Sequence, residues 1–450
     1  MSPTRREFLK SSGVMLGAGV AGLSPRLAYG APNVDGSQPP TLVVVYLRGG
    51  ADPINTIIPF GDPLYAKIRP TIQVPARSQG RLPGVLPINR YFGFHPAMTE
   101  IAELYEQGMM CPILNCGSTH PTRSHFDAQD FMERAAPGVK SVTEGWLNRY
   151  LYATRTDHDT DLRALSLQET LPRSMRGQYS ALAVPGYGSD RVMDTFENLY
   201  DCDSNKEAKQ KNAAPGNRDG GNGGSESESG QPDVLPEDAM RQRIAEAGDE
   251  GIRKLREINE HVDGRRRGHS EGGYPNTRLG GQFRDLAKLI KAGNGLEVAA
   301  LDYNGWDHHA YQGGSNGTMS DMLGNLSQSI GAFVKDMGPR MDRTLVLTMS
   351  EFGRTVRENG NSGTDHGRAG YMMAIGGMVN GGKIYGKWTG LERRNLVDGR
   401  DLKVHTDFRR VFAETLAGLY GFEADEHDFF PEYRSREKPV GFLRPITADG

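Results

Sequence analysis

The chain of 450 residues contains few cysteines and no long uninterrupted apolar run. Cys111, Cys116 and Cys202 cannot all pair and show no CxxC spacing, which excludes a disulfide framework and a zinc knuckle. The most apolar N-terminal stretch is short and interrupted by glycines, whereas a membrane helix needs about 18 apolar residues in a row. No fixed-period repeat is visible, which argues against a repeat architecture.

The chain also lacks an excess of positive charge. Its formal net charge is −3 at pH 7, so it has no bulk attraction for nucleic acid. One dense basic run, Arg265 to Arg267, lies between glycines and is more typical of a solvated loop than of a binding site.

The first thirty residues have the pattern of an export signal. Arg5 and Arg6 precede a Gly/Ala-rich apolar run, and small residues follow up to Gly30. This pattern predicts a twin-arginine signal peptide over residues 1–30, cleaved near Gly30. We therefore expect a periplasmic or secreted protein that uses the twin-arginine export machinery and keeps no stable membrane span once the signal is removed.

The remaining residues, 31–450, are expected to form one α/β domain. Residues 203–236 consist of Gly, Ser, Asn, Glu, Lys and Pro with almost no apolar side chains. Such a stretch cannot bury enough apolar surface to offset its ordering entropy, which predicts a disordered surface insertion.

Short apolar runs alternate with segments of helical periodicity, which is the pattern of a mainly parallel sheet with helices around it. The predicted strands are Thr41–Leu47, Met109–Asn115, Leu162–Leu167, Leu296–Leu301, Thr344–Met349 and Tyr371–Ile375. The predicted helices are His95–Gly108, residues 236–262, Leu279–Ile290 closed by Gly293, and Met319–Met337.

Acidic, amide and histidine side chains gather close to where these apolar runs end. The candidate metal ligands are Asp52, Asn55, Asp307, His309, Glu351, Asp365 and His366. Ligands of open α/β sheets bind beyond the carboxyl ends of the strands, so one shared site is expected. Carboxylate and imidazole donors predict one or two divalent metals: zinc, manganese, iron, magnesium and calcium stay open, and histidine favours transition metals. The alternative for Asp52 is an Asx-turn before Pro53.

The segment HPTRSHFD supplies the candidate nucleophile. Ser124 precedes a predicted helix, where it would serve either as an N-cap or as a nucleophile in the field of the free N–H groups. Thr122 is the second candidate. Arg123 and Arg354 could hold an oxyanion through paired hydrogen bonds, or could form ordinary ion pairs.

Six segments carry a resemblance to a known family. GGADPIN, HPAM, SHFDAQD, GWDHH with Gln312, SEFGR and GTDHG occur in an order that resembles the domain-of-unknown-function family 1501, whose members carry twin-arginine signals. The resemblance runs from about Leu42 to Leu419. That family is similar to the alkaline phosphatase and sulfatase superfamily. The resemblance implies an alkaline-phosphatase-like three-layer sandwich, with helices on both faces of a mainly parallel sheet, and usually two metals beside a nucleophile.

The chain departs from the superfamily pattern at two places. Superfamily members commonly carry Asp-His after the strand that corresponds to Thr344–Met349, whereas this chain has Glu351-Phe352. Cys116 lacks the Cys-x-Pro-x-Arg context from which sulfatases make formylglycine, which disfavours a sulfatase of that type.

Two functions follow as hypotheses. The favoured one is an exported metal-dependent hydrolase of phosphate or sulfate esters, with a small anionic ester or glycan as substrate. The alternative is a non-catalytic exported binding protein that retains the hydrolase scaffold, because fold alone does not decide function.

Overall fold

The computed structural model describes residues 38–156, 159, 162–184, 271–424, 429–433 and 437–444. The predicted signal peptide over residues 1–30, the insertion at 203–236, the helix at 236–262 and Cys202 lie outside the described residues.

The strands are β1 (Thr41–Arg48), β2 (Ile57–Ile58), β3 (Leu86–Pro87), β4 (Gly93–Phe94), β5 (Met110–Gly117), β6 (Ala164–Ser166), β7 (Leu182–Ala183), β8 (Val298–Asn304), β9 (Thr344–Met349), β10 (Gly370–Ile375) and β11 (Thr406–Asp407). The α-helices are α1 (Pro53–Thr56), α2 (Tyr65–Ile68), α3 (Thr99–Glu106), α4 (His125–Arg134), α5 (Trp146–Ala153), α6 (Arg278–Ala292), α7 (Thr318–Met337) and α8 (Phe408–Tyr420).

The main sheet has the strand order β11-β5-β10-β9-β1-β8-β6-β7. Its central strand β1 pairs in parallel with both β8 and β9, so Val43 lies beside Ala299 on one side and Val346 on the other. Strand β10 is antiparallel to both of its neighbours, β5 and β9. The remaining neighbours pair in parallel. The expectation of a mainly parallel sheet is therefore confirmed.

Strand β1 is buried on both faces, as its continuous β-branched sequence predicts. Successive side chains point to opposite faces of a strand, so Val43 and Val45 join one apolar core while Leu42 and Val44 join a second. Helices α3, α6 and α7 pack in the first core, and α5 and α8 pack in the second. Helices thus cover both faces, which confirms the predicted three-layer α/β sandwich.

The predicted helix Met319–Met337 is confirmed almost residue for residue by α7. Its buried face carries Met319, Leu323, Leu326 and Ile330, as the helical spacing indicates. The predicted helix from His95 to Gly108 is shorter in the structure and spans Thr99–Glu106. None of the helices among the described residues combines the length and the apolar character that crossing a bilayer requires.

Leu347 tests the contribution of the central sheet to stability. This side chain is fully buried in the second core. Leu347→Ala should lower the free energy of unfolding by about 2–5 kcal/mol, because it leaves a cavity between the sheet and its helices. The matched control is Leu82→Ala, since Leu82 is 47% exposed and its loss should change stability by less than about 0.5 kcal/mol. Urea unfolding of the full chain measures both values, and equal changes would contradict this view of the core.

Candidate metal centre

Four loops meet at one edge of the main sheet. Two of them follow the carboxyl ends of β8 and β9 and carry Asp307 and Glu351. A third loop follows β5 and leads to His125 at the start of α4. Because β10 is antiparallel, its amino end lies at the same edge, and the loop before it brings His366. These polar loops therefore converge at the carboxyl ends of the parallel strands, where the shared site was expected.

Three histidines surround the carboxylate of Asp307. Its Oδ1 lies 3.0 Å from Nε2 of His309 and 3.2 Å from Nε2 of His366, and its Oδ2 lies 3.3 Å from Nε2 of His125. The Nε2 atoms of His309 and His366 are 2.9 Å apart. Donor atoms of His125, Asp307 and His366 all lie within 4.8 Å of one another. We call these four side chains the histidine–aspartate cluster.

The other ring nitrogen of each histidine faces an acceptor. Nδ1 of His366 is 2.7 Å from the carbonyl oxygen of Arg123, and Nδ1 of His125 is 2.7 Å from Oε1 of Glu351. Nδ1 of His309 is 3.2 Å from Oδ1 of Asp365. A ring whose Nδ1 donates to such an oxygen has an Nε2 lone pair that can bind a metal ion, and this is the tautomer that we assign to the three rings.

The histidine–aspartate cluster therefore fits a divalent metal ion. In that tautomer three lone pairs and a carboxylate face one another, an arrangement that a cation between them would stabilise. Imidazole nitrogens held by hydrogen bonds on their far side are the usual arrangement of metal-binding histidines. Three nitrogens with one oxygen favour zinc or another transition metal over calcium and magnesium.

The pKa values of Asp307, His125 and His366 are shifted by their surroundings in the cluster. Burial alone would raise the pKa of Asp307, but the Arg354 guanidinium outweighs burial and holds that pKa below its usual value. The hydrogen bond to Glu351 raises the pKa of His125. Burial lowers the pKa of His366, and the nearby charge of His125 lowers it further. Asp307 thus stays charged and protonation of His125 is favoured, so a metal ion that binds there has to displace a proton.

Glu351 lies behind the cluster, on the side away from the converging Nε2 atoms. Its buried Oε1 accepts hydrogen bonds from the backbone N–H of Gly49, from Gln129 and from Nδ1 of His125. Burial opposes ionisation, but the hydrogen bonds from His125 and Gln129 prevail and lower the pKa of Glu351. In this position Glu351 orients His125.

Arg354 is fully buried and surrounded by acceptors. Its Nε donates to the carbonyl oxygen of Gly50 over 2.7 Å, and its Nη1 donates to that of Thr364 over 3.0 Å. Its Nη2 donates to the carbonyl oxygens of Gly49 and Trp306 and to Oδ1 of Asp307. All of its nitrogens thus have protein partners, so the geometry favours positioning of Asp307 over contact with a substrate.

Asp52 and Asn55 are held in a separate buried network. Both oxygens of Asp52 accept from the guanidinium of Arg69, and Oδ2 also accepts from Gln312 over 2.7 Å. Oδ1 of Asn55 accepts from Arg69 and from the hydroxyl of Tyr65. Asp52 also caps α1 by accepting from the N–H of Ile54, which is the local turn considered as its alternative role. The structure does not bring these two residues into the histidine–aspartate cluster.

The nucleophile candidates lie next to the cluster. Ser124 occupies the N-cap position of α4, but its side chain makes no capping hydrogen bond and the residue is exposed. Oγ1 of Thr122 accepts from the N–H of Ser124 over 3.2 Å. The Arg123 guanidinium forms an ion pair with the buried carboxylate of Asp401, while its carbonyl oxygen holds His366.

Sequence reasoning did not single out three residues that contribute here. His125 and Gln129 both stand in the segment SHFDAQD and share a helix turn, so the segment offered a signal through their four-residue spacing. Arg400 offered no such signal, since it is far along the chain; its Nη2 donates to the carbonyl oxygen of His366 over 3.1 Å.

Comparison with protein families supports the resemblance drawn from the motifs. Residues 236–428 match the family described as "Protein of unknown function (DUF1501)". The matched region includes GWDHH, SEFGR and GTDHG, and the resemblance to this family is confirmed. No curated protein matches the chain.

Among solved structures, the chain is similar to a sulfatase from Pseudoalteromonas sp. with 13% identity and a TM-score of 0.39, over 91% of this chain and 72% of that one. It is similar to a putative sulfatase from Bacteroides thetaiotaomicron with 10% identity and a TM-score of 0.29, over 90% of this chain and 77% of that one. The α/β sandwich rests on the sheet and the two helical layers described above.

The buried pair of Arg69 and Asp52 gives a stability prediction. Both side chains are almost completely inaccessible to solvent, so Arg69→Met leaves a buried carboxylate without its cation. We expect the free energy of unfolding to fall by about 3–5 kcal/mol. Arg394→Met makes the same change at an ion pair with Glu392 in which the arginine is 81% exposed, and it should cost less than about 1 kcal/mol. Denaturant unfolding compares the two variants, and a similar loss in both would contradict the assignment.

Proposed function

We propose that this protein is an exported metal-dependent hydrolase of phosphate or sulfate esters. The observation that carries the proposal is the convergence of three Nε2 atoms on the carboxylate of Asp307. We assign the metal to His125, Asp307, His309 and His366, with Glu351 and Asp365 as the groups that orient two of the histidines. A bound divalent metal would lower the pKa of a nearby hydroxyl or water and stabilise negative charge on the ester.

Two features beside the histidine–aspartate cluster favour an anionic substrate. Helix α4 has ten residues, starts at His125, and has no side chain that caps its N-terminus. Free N–H groups and the helix dipole attract a phosphate or sulfate group at such a position. Arg400 adds a positive charge near His366, and its side chain is 40% exposed, so it can reach a ligand from solvent. A hydrogen bond from Asn359 lowers the pKa of Asp365, and the charge of Arg400 is close enough to lower that pKa further.

Ser124 is the proposed nucleophile. The residue is exposed at the start of α4 and directly precedes His125, and the N–H groups of the helix would stabilise charge on the transferred group. Thr122 remains the second candidate. Arg123 acts through its carbonyl oxygen on His366, and its guanidinium shares Asp401 with Arg400.

Metal analysis tests the histidine–aspartate cluster directly. Purified mature protein should contain a stoichiometric transition metal, and His366→Ala should remove it, because one converging nitrogen is lost. Asp365→Ala should weaken metal affinity about 10- to 100-fold, since it removes only the group that orients His309. His405→Ala is the matched control, because His405 is not part of the cluster, and it should retain the metal. Full metal content in His366→Ala, measured by elemental mass spectrometry, would refute the cluster as the metal site.

Substitution of Ser124 tests the reaction. Ser124→Ala should reduce turnover of an aryl phosphate or sulfate at least about 1000-fold, while metal content and melting temperature stay nearly unchanged. Thr122→Ala is the control, and it should retain most of the activity. The opposite pattern would assign the nucleophile to Thr122. A metal-loaded protein that is inert towards a broad panel of phosphate, phosphonate and sulfate esters would instead favour the non-catalytic binding protein.

A further inference from the structure

Two of the large hydrophobic side chains that are most exposed to solvent adjoin the metal-binding residues. Within the described part of the chain, the exposed large hydrophobic residues are Leu82, Phe126 and Tyr311, and the latter two are 89% and 83% exposed. Phe126 directly follows His125, and Tyr311 lies two residues after His309. Isolated exposed apolar residues are common on proteins, so their location and not their exposure is the informative observation.

The two aromatic residues follow histidines that contact the same carboxylate. His125 and His309 contact the two different oxygens of Asp307, at 3.3 and 3.0 Å. Phe126 and Tyr311 therefore belong to two backbone segments that meet at the carboxylate of Asp307. We call these two residues the aromatic rim.

The backbone of Tyr311 is held in an unfavourable conformation. Its φ angle is +50°, in the left-handed region that bulky side chains rarely adopt. The N–H of Tyr311 donates to the carbonyl oxygen of Asn361 over 3.0 Å, and that of Gln312 donates to the carbonyl oxygen of Ser362 over 2.9 Å. Strain of this kind persists only where the surroundings fix it, and it is frequent at ligand sites. The surroundings here fix the backbone of an exposed aromatic side chain on the segment that carries His309.

Phe126 is fixed in a different way. It lies in the first turn of α4, while Ala128, Phe131 and Met132 on the opposite face of this helix are buried. The helix thus directs Phe126 away from the core and holds its backbone rigidly. An aromatic side chain on rigid backbone offers contact area at a low cost in conformational entropy.

From this placement we propose that the aromatic rim binds the ring of a ring-bearing anionic ester, with the ester group at the metal and the ring against Phe126 and Tyr311. The inference rests on the proposed function and adds the class of the leaving group. The ring could be an aryl group or the apolar face of a pyranose, because both present a flat apolar surface to an aromatic side chain.

Binding of inert analogues tests the rim separately from turnover. The probes are methyl, phenyl and pyranosyl phosphonates and the matching sulfonates, titrated by calorimetry into the metal-loaded full chain. We expect at least one ring-bearing probe to bind roughly 3- to 10-fold more tightly than the methyl probe. The ring that shows this preference identifies an aryl or a sugar ester as the substrate.

Variants connect that preference to the two residues. Phe126→Ala and Tyr311→Ala should each reduce it and together abolish it, without changing the affinity for the methyl probe. Leu82→Ala removes a comparable exposed side chain and should leave the preference intact. Equal binding of all probes to the unmodified protein, or a preference that survives loss of both aromatic residues, would overturn the inference while the anion site stands. Failure of every probe to bind would overturn the proposed function as well.

Discussion

The buried guanidinium of Arg354 is the constraint on which the site depends. It joins the carbonyl oxygens of Gly49 and Gly50 after β1, of Trp306 after β8 and of Thr364 before β10, and it also binds Asp307. A buried arginine without acceptors would be very unfavourable, so each of these loops has to approach it. The same contacts bring the loops after β8 and before β10 close enough for their histidines to share one carboxylate. The site is therefore assembled around the guanidinium of Arg354, which itself makes no contact with solvent.

Close approach of backbone at this point limits which residues the loops can carry. Gly49 has a φ of +121°, and a Cβ there would lie 2.6 Å from the backbone nitrogen of Asp307. At Gly353, a Cβ would lie 1.9 Å from the carbonyl oxygen of Ala369. The glycines in GGADPIN and SEFGR thus have a steric role next to Arg354. Their presence in the motifs reflects packing around the guanidinium, whereas the histidines of the motifs converge on Asp307.

The sequence allowed much of the fold to be predicted, because local periodicity records burial. Strand β1 and helix α7 followed directly from their apolar patterns. The direction of β10 was not accessible in this way, since a buried strand has the same pattern in either direction; its antiparallel pairing is what brings His366 to the carboxyl edge. Residue type was also insufficient to separate the acidic residues by role. Asp307 and Asp52 both follow buried strands, yet only the structure reveals that Asp52 is paired with Arg69.

The loop after β9 sets Glu351 behind His125 and Phe352 beside the histidine rings. A histidine in place of Phe352 would add an imidazole, but Phe352 instead packs against the rings of His125 and His366, with centroids 4.9 Å away in both cases. The carboxylate beside it turns inward and binds Nδ1 of His125. The imidazole that contacts this carboxylate thus comes from His125, the first residue of α4, and not from the loop after β9. His125 and the proposed nucleophile Ser124 stand at one helix terminus, so a shift of α4 would move both residues together.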